Sequence, residues 1–370
     1  MVVSSPSAVE ECLTTNDIVF ANRPPLTMAK YVAYNCTTIG TVSYGNRWRN
    51  LRRISTLEIF SSNRLNVFTG IRRDEIKIFL NKLYSVSSHD FAKVELKPML
   101  MELTFNIIMR MVAGKRYYGE EETGKNKAEA MEFREMIAEV FEYAGASYLG
   151  DFLPFLQWID YQGYLKRAMR LGKRTDRLLQ DLIDEHRCDE KASSERRNNT
   201  MIDHLLSLQE SKPEYYADEI IKGLVLEMLF AGTESSAVTL EWAMSNLLNH
   251  PQALEKARNE LELNVGEETF MDESDLSKLP YLQNIISETL RLQQVFAIWL
   301  GKKVCPGTGL ANRVVGFALG SMIHGFEWKR ASDEEIDMSE GVGLTMPKAK
   351  PLEAMCKARN IMKKVLSSPL

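Results

Sequence analysis

The feature that most constrains the fold is a long helical pattern that begins near Asp218 and ends at Asn249, just before a His-Pro pair. As an α-helix this stretch would be roughly 48 Å long. Its first half, IIKGLVLEMLFAG, is apolar on most faces, which is typical of a helix at the centre of a protein. The chain has 370 residues, 45% of them hydrophobic, so it can surround such a helix with a large core.

Most other segments also follow the helical period, so the predicted fold class is mainly α with a minor β region. Ser5 followed by Pro6 predicts a capped helix near the start of the sequence. The polar stretches 118–127 and 187–200 predict loops, and short strand-like pieces occur within 343–359. Further helices are predicted at 46–54, 72–85, 98–112, 127–144 and 164–186.

Composition excludes several classes of protein. The net charge of −4 gives no electrostatic footprint for nucleic acid. The five cysteines include no CxxC pair, which argues against a disulfide framework or a zinc site and favours a reducing compartment. No signal peptide is recognisable, and the longest apolar run, 223–232, is too short to cross a bilayer. The sequence therefore predicts no membrane anchor, and its abrupt start is typical of a truncated chain.

The segment GKKVCPGTG, residues 301–309, contains the first candidate functional residue. Cys305 stands between two lysines and two glycines, just before a long apolar helix. The dipole and the unpaired N–H groups of a helix N-terminus stabilise a thiolate, which is a metal ligand. The alternative is a small buried thiol that only fills space.

A second candidate is the segment AGTESS, residues 231–236, in the middle of the long helix. Gly232 lowers helix stability, and Thr233, Glu234 and Ser235 place an acid and two hydroxyls together. A Gly with Ser or Thr is a common cause of a helix kink, and such a site could bind a small ligand and pass protons to it. The alternative is a polar face that packs against another helix.

Two further patterns are weak when taken alone. ETLR places Glu288 and Arg291 three residues apart on one helix, which is a common surface pairing. WRNLRR places Trp48 and Arg52 on one helical stripe, where they could bind an anionic group. Arg49 and Arg53 fall on the neighbouring stripe, so a basic surface helix is the alternative for this pattern.

Taken together, these patterns resemble the cytochrome P-450 family of haem-thiolate monooxygenases. The resemblance implies haem b (iron protoporphyrin IX) as cofactor, with Cys305 as the axial ligand in a loop that includes Gly301, Lys303 and Gly307. It implies that Trp48 and Arg52 contact the haem propionates. Thr233, Glu234 and Ser235 match the oxygen-activation motif and its proton delivery. Glu288 and Arg291 match the structural ExxR pair.

Longer runs, such as VVSSPSAVEEC and TMIDHLLSLQESKPEYY, resemble the plant subfamily that includes isoflavone 2′- and 3′-hydroxylases. This resemblance implies hydroxylation of a small aromatic plant metabolite with O₂ and electrons from an NADPH-cytochrome reductase. It also implies the cytosolic face of the endoplasmic reticulum membrane, or the cytoplasm if the anchorless chain is the real product. Residues implied to line the substrate pocket are Tyr34, Thr37, Thr38, Leu344 and Thr345.

The chain departs from the family pattern where only residues 292–304 separate Arg291 from Cys305. The family has several dozen more residues there, including strands and a second arginine that completes the ExxR cluster. Residues 1–370 are therefore predicted to form a single haem-thiolate domain with an incomplete cytochrome P-450 fold, lacking the membrane anchor and this segment. The alternative function is a non-catalytic remnant of such an enzyme, a helical protein without competent haem binding.

Overall fold

The structure is a computed structural model that describes residues 5–119, 125–145, 148–153, 155–160, 163–192, 200–266, 269–293 and 305–367. The described residues are mainly helical, and three short strands form one sheet. The predicted fold class is therefore confirmed. Among the described residues, no helix is both long enough and apolar enough to cross a membrane.

Bounds of the elements follow in chain order. The helices are α1 Pro6–Leu13, α2 Thr27–Val32, α3 Asn46–Ile54, α4 Ser62–Val67, α5 Thr69–Ser87, α6 Leu96–Ala113, α7 Lys125–Gly145, α8 Phe155–Trp158, α9 Tyr164–Ala192, α10 Met201–Ser211, α11 Asp218–Asn249, α12 Pro251–Asn264, α13 Pro280–Gln293, α14 Thr308–Gly325 and α15 Asn360–Ser367. The strands are β1 Ala92–Glu95, β2 Phe326–Arg330 and β3 Glu353–Ala358. A π-helical turn occupies Ser55–Ile59, and 3₁₀ turns occupy Leu149–Asp151 and Glu273–Lys278.

The long predicted helix is confirmed as α11, which runs over 32 residues from Asp218 to Asn249. The predicted cap is also present, because the Ser5 side chain accepts a hydrogen bond from the Ala8 N–H at 3.2 Å. The loop predicted at 187–200 is partly wrong, since α9 continues to Ala192. The residues RCDEKA that extend α9 include several strong helix formers.

The described residues fall into two compact units that each combine distant parts of the chain. Unit 1 comprises Met1–Leu65, Met109–Ala231 and Ala297–Thr308. Unit 2 comprises Asn66–Ile108, Gly232–Phe296 and Gly309–Leu370.

In unit 1, the largest contact between elements joins α2 to α9. Gly172 of α9 makes this possible, because a Cβ at that position would lie 2.3 Å from the Tyr31 carbonyl oxygen. The two helices therefore approach at backbone distance. Helices α7 and α10 also pack against α9, and α10 contacts the π turn that follows α3.

In unit 2, the antiparallel sheet has the order β1-β3-β2. Cys356 of β3 stands opposite Ala92 of β1 and opposite Trp328 of β2, so the central strand pairs on both sides. Helix α14 is almost fully buried from Val314 to Gly325, as its continuous apolar sequence requires.

A buried ion pair connects α5 with the 3₁₀ turn in unit 2. The Arg72 side chain is fully buried, and its Nε and Nη2 donate to the Glu273 carboxylate at 2.5 and 2.7 Å. Arg313 donates to the same carboxylate at 3.1 Å. Glu273 therefore balances two guanidinium groups, one of which has no access to solvent.

Glu273→Gln should destabilise the protein strongly because it removes this charge and keeps the size of the side chain. Breaking a buried pair from one side costs about 3–5 kcal/mol. We expect a correspondingly lower free energy of unfolding in urea. Glu288→Gln is the matched control, since it changes the same residue type in an exposed pair and should leave the unfolding midpoint unchanged. Equal unfolding curves for both variants would contradict the role assigned to Glu273.

Candidate haem-thiolate site

The Cys305 loop leads directly into α14. Cys305 is half-buried and its thiol is not in a disulfide. Its carbonyl oxygen accepts hydrogen bonds from the N–H and the hydroxyl of Thr308, at 3.2 and 2.8 Å. These bonds tie the loop to the first residue of the helix. The predicted loop residues Gly301 and Lys303 lie outside the described residues.

Helix α3 presents two stripes, as the WRNLRR spacing predicts. Trp48 is buried and Arg52 is half-buried, whereas Arg49 and Arg53 are exposed. The exposed arginines each lie over a tyrosine ring, Arg49 over Tyr44 and Arg53 over Tyr215, both at 5.5 Å. The inward stripe is therefore the one available to a buried ligand.

Arg52 lies close to Cys305 in unit 1. Burial lowers the pKa of the Arg52 guanidinium, and the negative charge of a Cys305 thiolate opposes this shift. The guanidinium remains charged at any physiological pH. A half-buried cation thus stands beside the candidate ligand, although the two residues are far apart in sequence.

This donor set fits a haem. A thiolate binds iron in haem-thiolate proteins, and a fixed guanidinium is suited to pair with a carboxylate such as a propionate. Within unit 1 both groups are present at one place, and the thiol is not consumed by another bond. Among the described residues, no cluster of three or more His, Cys, Asp or Glu side chains offers a different metal site.

The AGTESS segment does not interrupt α11, which is continuous through residues 231–236. Gly232 has a packing reason, because a Cβ there would lie 2.8 Å from Ile108 Cδ1 of α6. Thr233 is fully buried and Ser235 is 8% exposed. Burial raises the pKa of the Glu234 carboxyl, while Thr345 and Lys97 oppose this increase. Glu234 therefore keeps its proton at a higher pH than an exposed glutamate does.

The structure brings Thr345 next to Glu234 in unit 2. The turn that contains Thr345 is fixed to α11 by the Trp242 indole N–H, which donates to the Met346 carbonyl oxygen at 3.1 Å. Thr345 is 6% exposed, and its hydroxyl makes no hydrogen bond of good geometry among the described residues. The neighbouring Leu344 is 51% exposed and faces solvent instead.

The segment that contains Tyr34, Thr37 and Thr38 has unusual backbone geometry. Tyr34, Asn35 and Cys36 are three consecutive residues with φ between 49° and 59°, in the left-handed region. Each such residue costs of order 1–2 kcal/mol, so the turn must be held by other interactions. The Tyr34 hydroxyl donates to Asp176 at 3.1 Å, and the Thr37 hydroxyl donates to the Tyr34 carbonyl oxygen at 2.5 Å.

Glu227 of α11 contacts the segment that follows this turn, and the sequence patterns did not single it out as functional. Glu227 is half-buried, and its Oε1 accepts the Gly40 N–H at 3.1 Å. Burial raises the pKa of Glu227, while Thr38, Gly40 and Arg23 oppose this increase. Thr37 and Thr38 also line a cavity of about 10 Å³, which has room for about one water molecule.

Glu288 and Arg291 form a pair, but an exposed one. Arg291 donates from Nε and Nη2 to the two carboxylate oxygens of Glu288 at 2.7 and 2.6 Å. The two side chains are 53% and 67% exposed. Because solvent hydrates both charges, this pair carries no cost of buried, unpaired charge.

Comparison with known proteins identifies the family of this chain. The profile of the family described as Cytochrome P450 matches residues 1–300. Cytochrome P450 81Q32 of Catharanthus roseus is 49% identical, over 99% of this chain and 84% of that protein. The isoflavone 3'-hydroxylase of Medicago truncatula is 46% identical (97% and 83% covered), and the isoflavone 2'-hydroxylase of Glycyrrhiza echinata is 43% identical (99% and 84% covered).

The fold also matches a solved structure. A zebra fish cytochrome P450 crystallised with abiraterone superposes with a TM-score of 0.76 at 18% identity, covering 97% of this chain and 93% of that one. The chain belongs to the cytochrome P450 family, whose members are haem b monooxygenases. Its alignment with the Catharanthus protein spans 428 positions against 370 residues here, so that relative carries residues with no counterpart in this chain.

Glu227→Gln should change how stability depends on pH. The folded protein binds a proton at Glu227 more readily than the unfolded chain, whose carboxyl has a pKa of about 4.5. The stabilisation is therefore complete below that pH and is lost as the pH rises through the folded pKa. A tenfold difference in proton affinity between the folded and unfolded protein corresponds to about 1.4 kcal/mol. We expect the variant to gain stability relative to the wild type from pH 4 towards neutral pH, as measured by urea unfolding.

Glu219→Gln is the control for this experiment. Glu219 lies two turns earlier on α11, is exposed and accepts a hydrogen bond from Arg47 at 3.1 Å. This variant tests whether the loss of any carboxylate from α11 gives the same pH profile. If Glu227→Gln gave a profile parallel to the wild type, Glu227 would not be the buried titrating group.

Arg52→Gln should weaken haem retention, because it removes the cation beside the thiolate loop. A charge-assisted hydrogen bond of about 1.5–3 kcal/mol corresponds to roughly a ten- to hundredfold faster loss of haem. Haem transfer to an acceptor protein measures this rate. Arg49→Gln, on the outward stripe of the same helix, should release haem at the wild-type rate. Equal rates for both variants would remove Arg52 from the site.

Proposed function

We propose that this chain is a haem-thiolate monooxygenase that hydroxylates an aromatic plant specialised metabolite of isoflavonoid type. The observation that carries the proposal is the half-buried Arg52 guanidinium beside the unpaired Cys305 thiol. It is supported by relatives that are named isoflavone hydroxylases and are 43–46% identical. The prediction that residues 1–370 form a single domain stays a prediction.

When bound, haem supplies the activation of O₂ and the transfer of one oxygen atom. The residues of this chain supply the surroundings. Cys305 would hold the haem through its thiolate and Arg52 would pair with a propionate, while Trp48 lies on the same stripe of α3 as Arg52. Glu234 keeps its proton to a higher pH than an exposed glutamate does, because burial raises the pKa of its carboxyl. Ser235, or Thr233, can pass this proton on through its hydroxyl, which both donates and accepts.

The substrate is proposed by class only. Tyr34, Thr37 and Thr38 stand on the left-handed turn, and Leu344 and Thr345 stand on the turn fixed to α11. A rigid aromatic substrate suits such turns, since ordering it costs little conformational entropy. The hydroxyls of Tyr34 and Thr37 are already engaged inside the protein, so these residues act by shaping the turn.

Electrons are proposed to come from an NADPH-cytochrome reductase. Arg49 and Arg53 form an exposed basic stripe on α3, which would attract an acidic docking face. Lys302, a basic residue three positions before Cys305, lies outside the described residues. Salt should slow electron transfer, because it screens exposed charges.

We also propose that the protein works at the cytosolic face of the endoplasmic reticulum membrane. Support comes from exposed apolar side chains in one short region of unit 1. Phe152, Trp158 and Ile159 are 71%, 94% and 70% exposed. Large apolar side chains grouped on a surface are typical of contact with a lipid or a protein.

The test is to express the chain with a haem supply and to reduce it under carbon monoxide. The wild type should show the red-shifted Soret band of a thiolate-ligated haem, and Cys305→Ala should not. With reductase and NADPH, it should hydroxylate at least one member of an isoflavonoid panel. A chain with the relatives' segment inserted between Gln293 and Ile298 is the positive control. A band and product in that control alone would favour the non-catalytic remnant.

A further inference from the structure

The π turn after α3 is a costly feature that the function described so far does not explain. The Phe60 N–H donates to the Ser55 carbonyl oxygen at 2.9 Å, which is the i→i−5 bond of a π-helix. Such a turn holds one more residue than an α-turn, is rare, and is found frequently at functional sites. The residue at its end is Phe60.

Phe60 is aimed at the Cys305 loop. A Cβ placed on Gly307 would lie 3.6 Å from Phe60 Cζ and 3.7 Å from Cys305 Sγ. The ring edge and the sulfur atom therefore flank the same face of Gly307 at van der Waals distance. A displacement of the ring would remove one wall of the loop that holds the thiol.

A side-chain pair links the π turn to α10. Glu58, inside the turn, has Oε2 at 2.9 Å from Nε2 of His204 on α10. Both side chains are partly buried, at 30% and 24% exposure. Without this pair the five residues could return to the α-helical register, which would rotate Phe60 away from Gly307.

We propose that the Glu58–His204 pair is a positioning element for the Cys305 thiolate, acting through the π turn and Phe60. Only one consequence of this proposal, the predicted haem spectrum, depends on the proposed function, in which Cys305 is the haem ligand. Its geometric claim, that the pair controls access to the thiol, stands without haem. The two can therefore fail separately.

The chain offers a matched control on the same helix. His186 Nδ1 lies 2.6 Å from Asp203 Oδ1, next to His204 in sequence, but neither residue is in the π turn. His186→Ala removes a similar partly buried pair. It should loosen the contact between α9 and α10 and leave Phe60 in place.

The first measurement is alkylation of Cys305 by iodoacetamide in the haem-free protein, followed by peptide mass spectrometry. His204→Ala and Glu58→Ala should raise the rate about fivefold, the change in open population that one hydrogen bond typically controls. His204→Gln retains an N–H donor near Nε2 and should restore most of the protection. Phe60→Leu should raise the rate even with the pair intact.

The second measurement is the reduced carbon monoxide spectrum of the holoprotein. His204→Ala should lower the share of thiolate-ligated haem, and His186→Ala should not. Thermal unfolding identifies any variant that fails to fold, and the size-conserving Glu58→Gln then replaces it. Alkylation at the His186→Ala rate in every Glu58 and His204 variant would overturn the proposal. A thiolate band that survives Cys305→Ala would instead overturn the proposed function.

Discussion

Helix α11 buries carboxylates along one stripe, and the rest of the structure must satisfy them. Glu227, Glu234 and Glu241 are spaced by seven residues, which places them on the same side of a helix. Burial raises the pKa of all three. Because a buried carboxylate is costly without partners, each one requires a donor or hydroxyl from a distant segment. The helix thereby determines where several loops must lie.

The three carboxylates are satisfied to different degrees, and the difference suggests different roles. Glu227 accepts the Gly40 N–H, and Glu241 accepts the Leu352 N–H at 2.8 Å. Both therefore fix the backbone of another segment. Glu234 has the Thr345 hydroxyl and Lys97 as its neighbours and, among the described residues, accepts no hydrogen bond from a backbone N–H. A carboxyl that is tied to no backbone can exchange its proton without disturbing the fold, which suits proton delivery better than either neighbour does.

The periodicity of apolar residues predicted those features of the fold that depend on neighbouring residues in the sequence. The bounds of α11, the two stripes of α3 and the strand-bearing region 343–359 could all be predicted because each follows from side-chain pattern. The Arg72–Glu273 pair could not, since 201 residues separate its members and each alone resembles a surface charge. The exposure of Glu288 and Arg291, which match the structural ExxR pair, could not be predicted from the motif either. The burial of a side chain depends on the tertiary fold and cannot be predicted from a short motif.

Of the residues around the Cys305 loop, some could be predicted from the sequence and others could not. Arg52 was predictable because its spacing from Trp48 is a helical pattern, and it lies near Cys305. Phe60 was not, because a π turn has no composition of its own and STLEI resembles any helical segment. Yet the π turn contains one more residue than an α-helical turn, and this extra residue brings Phe60 to Gly307. In this part of the chain, α3 supplies the charge beside the sulfur, and the irregularity at its end supplies the packing. A substitution that regularised the helix would therefore retain Arg52 and still displace the wall of the loop.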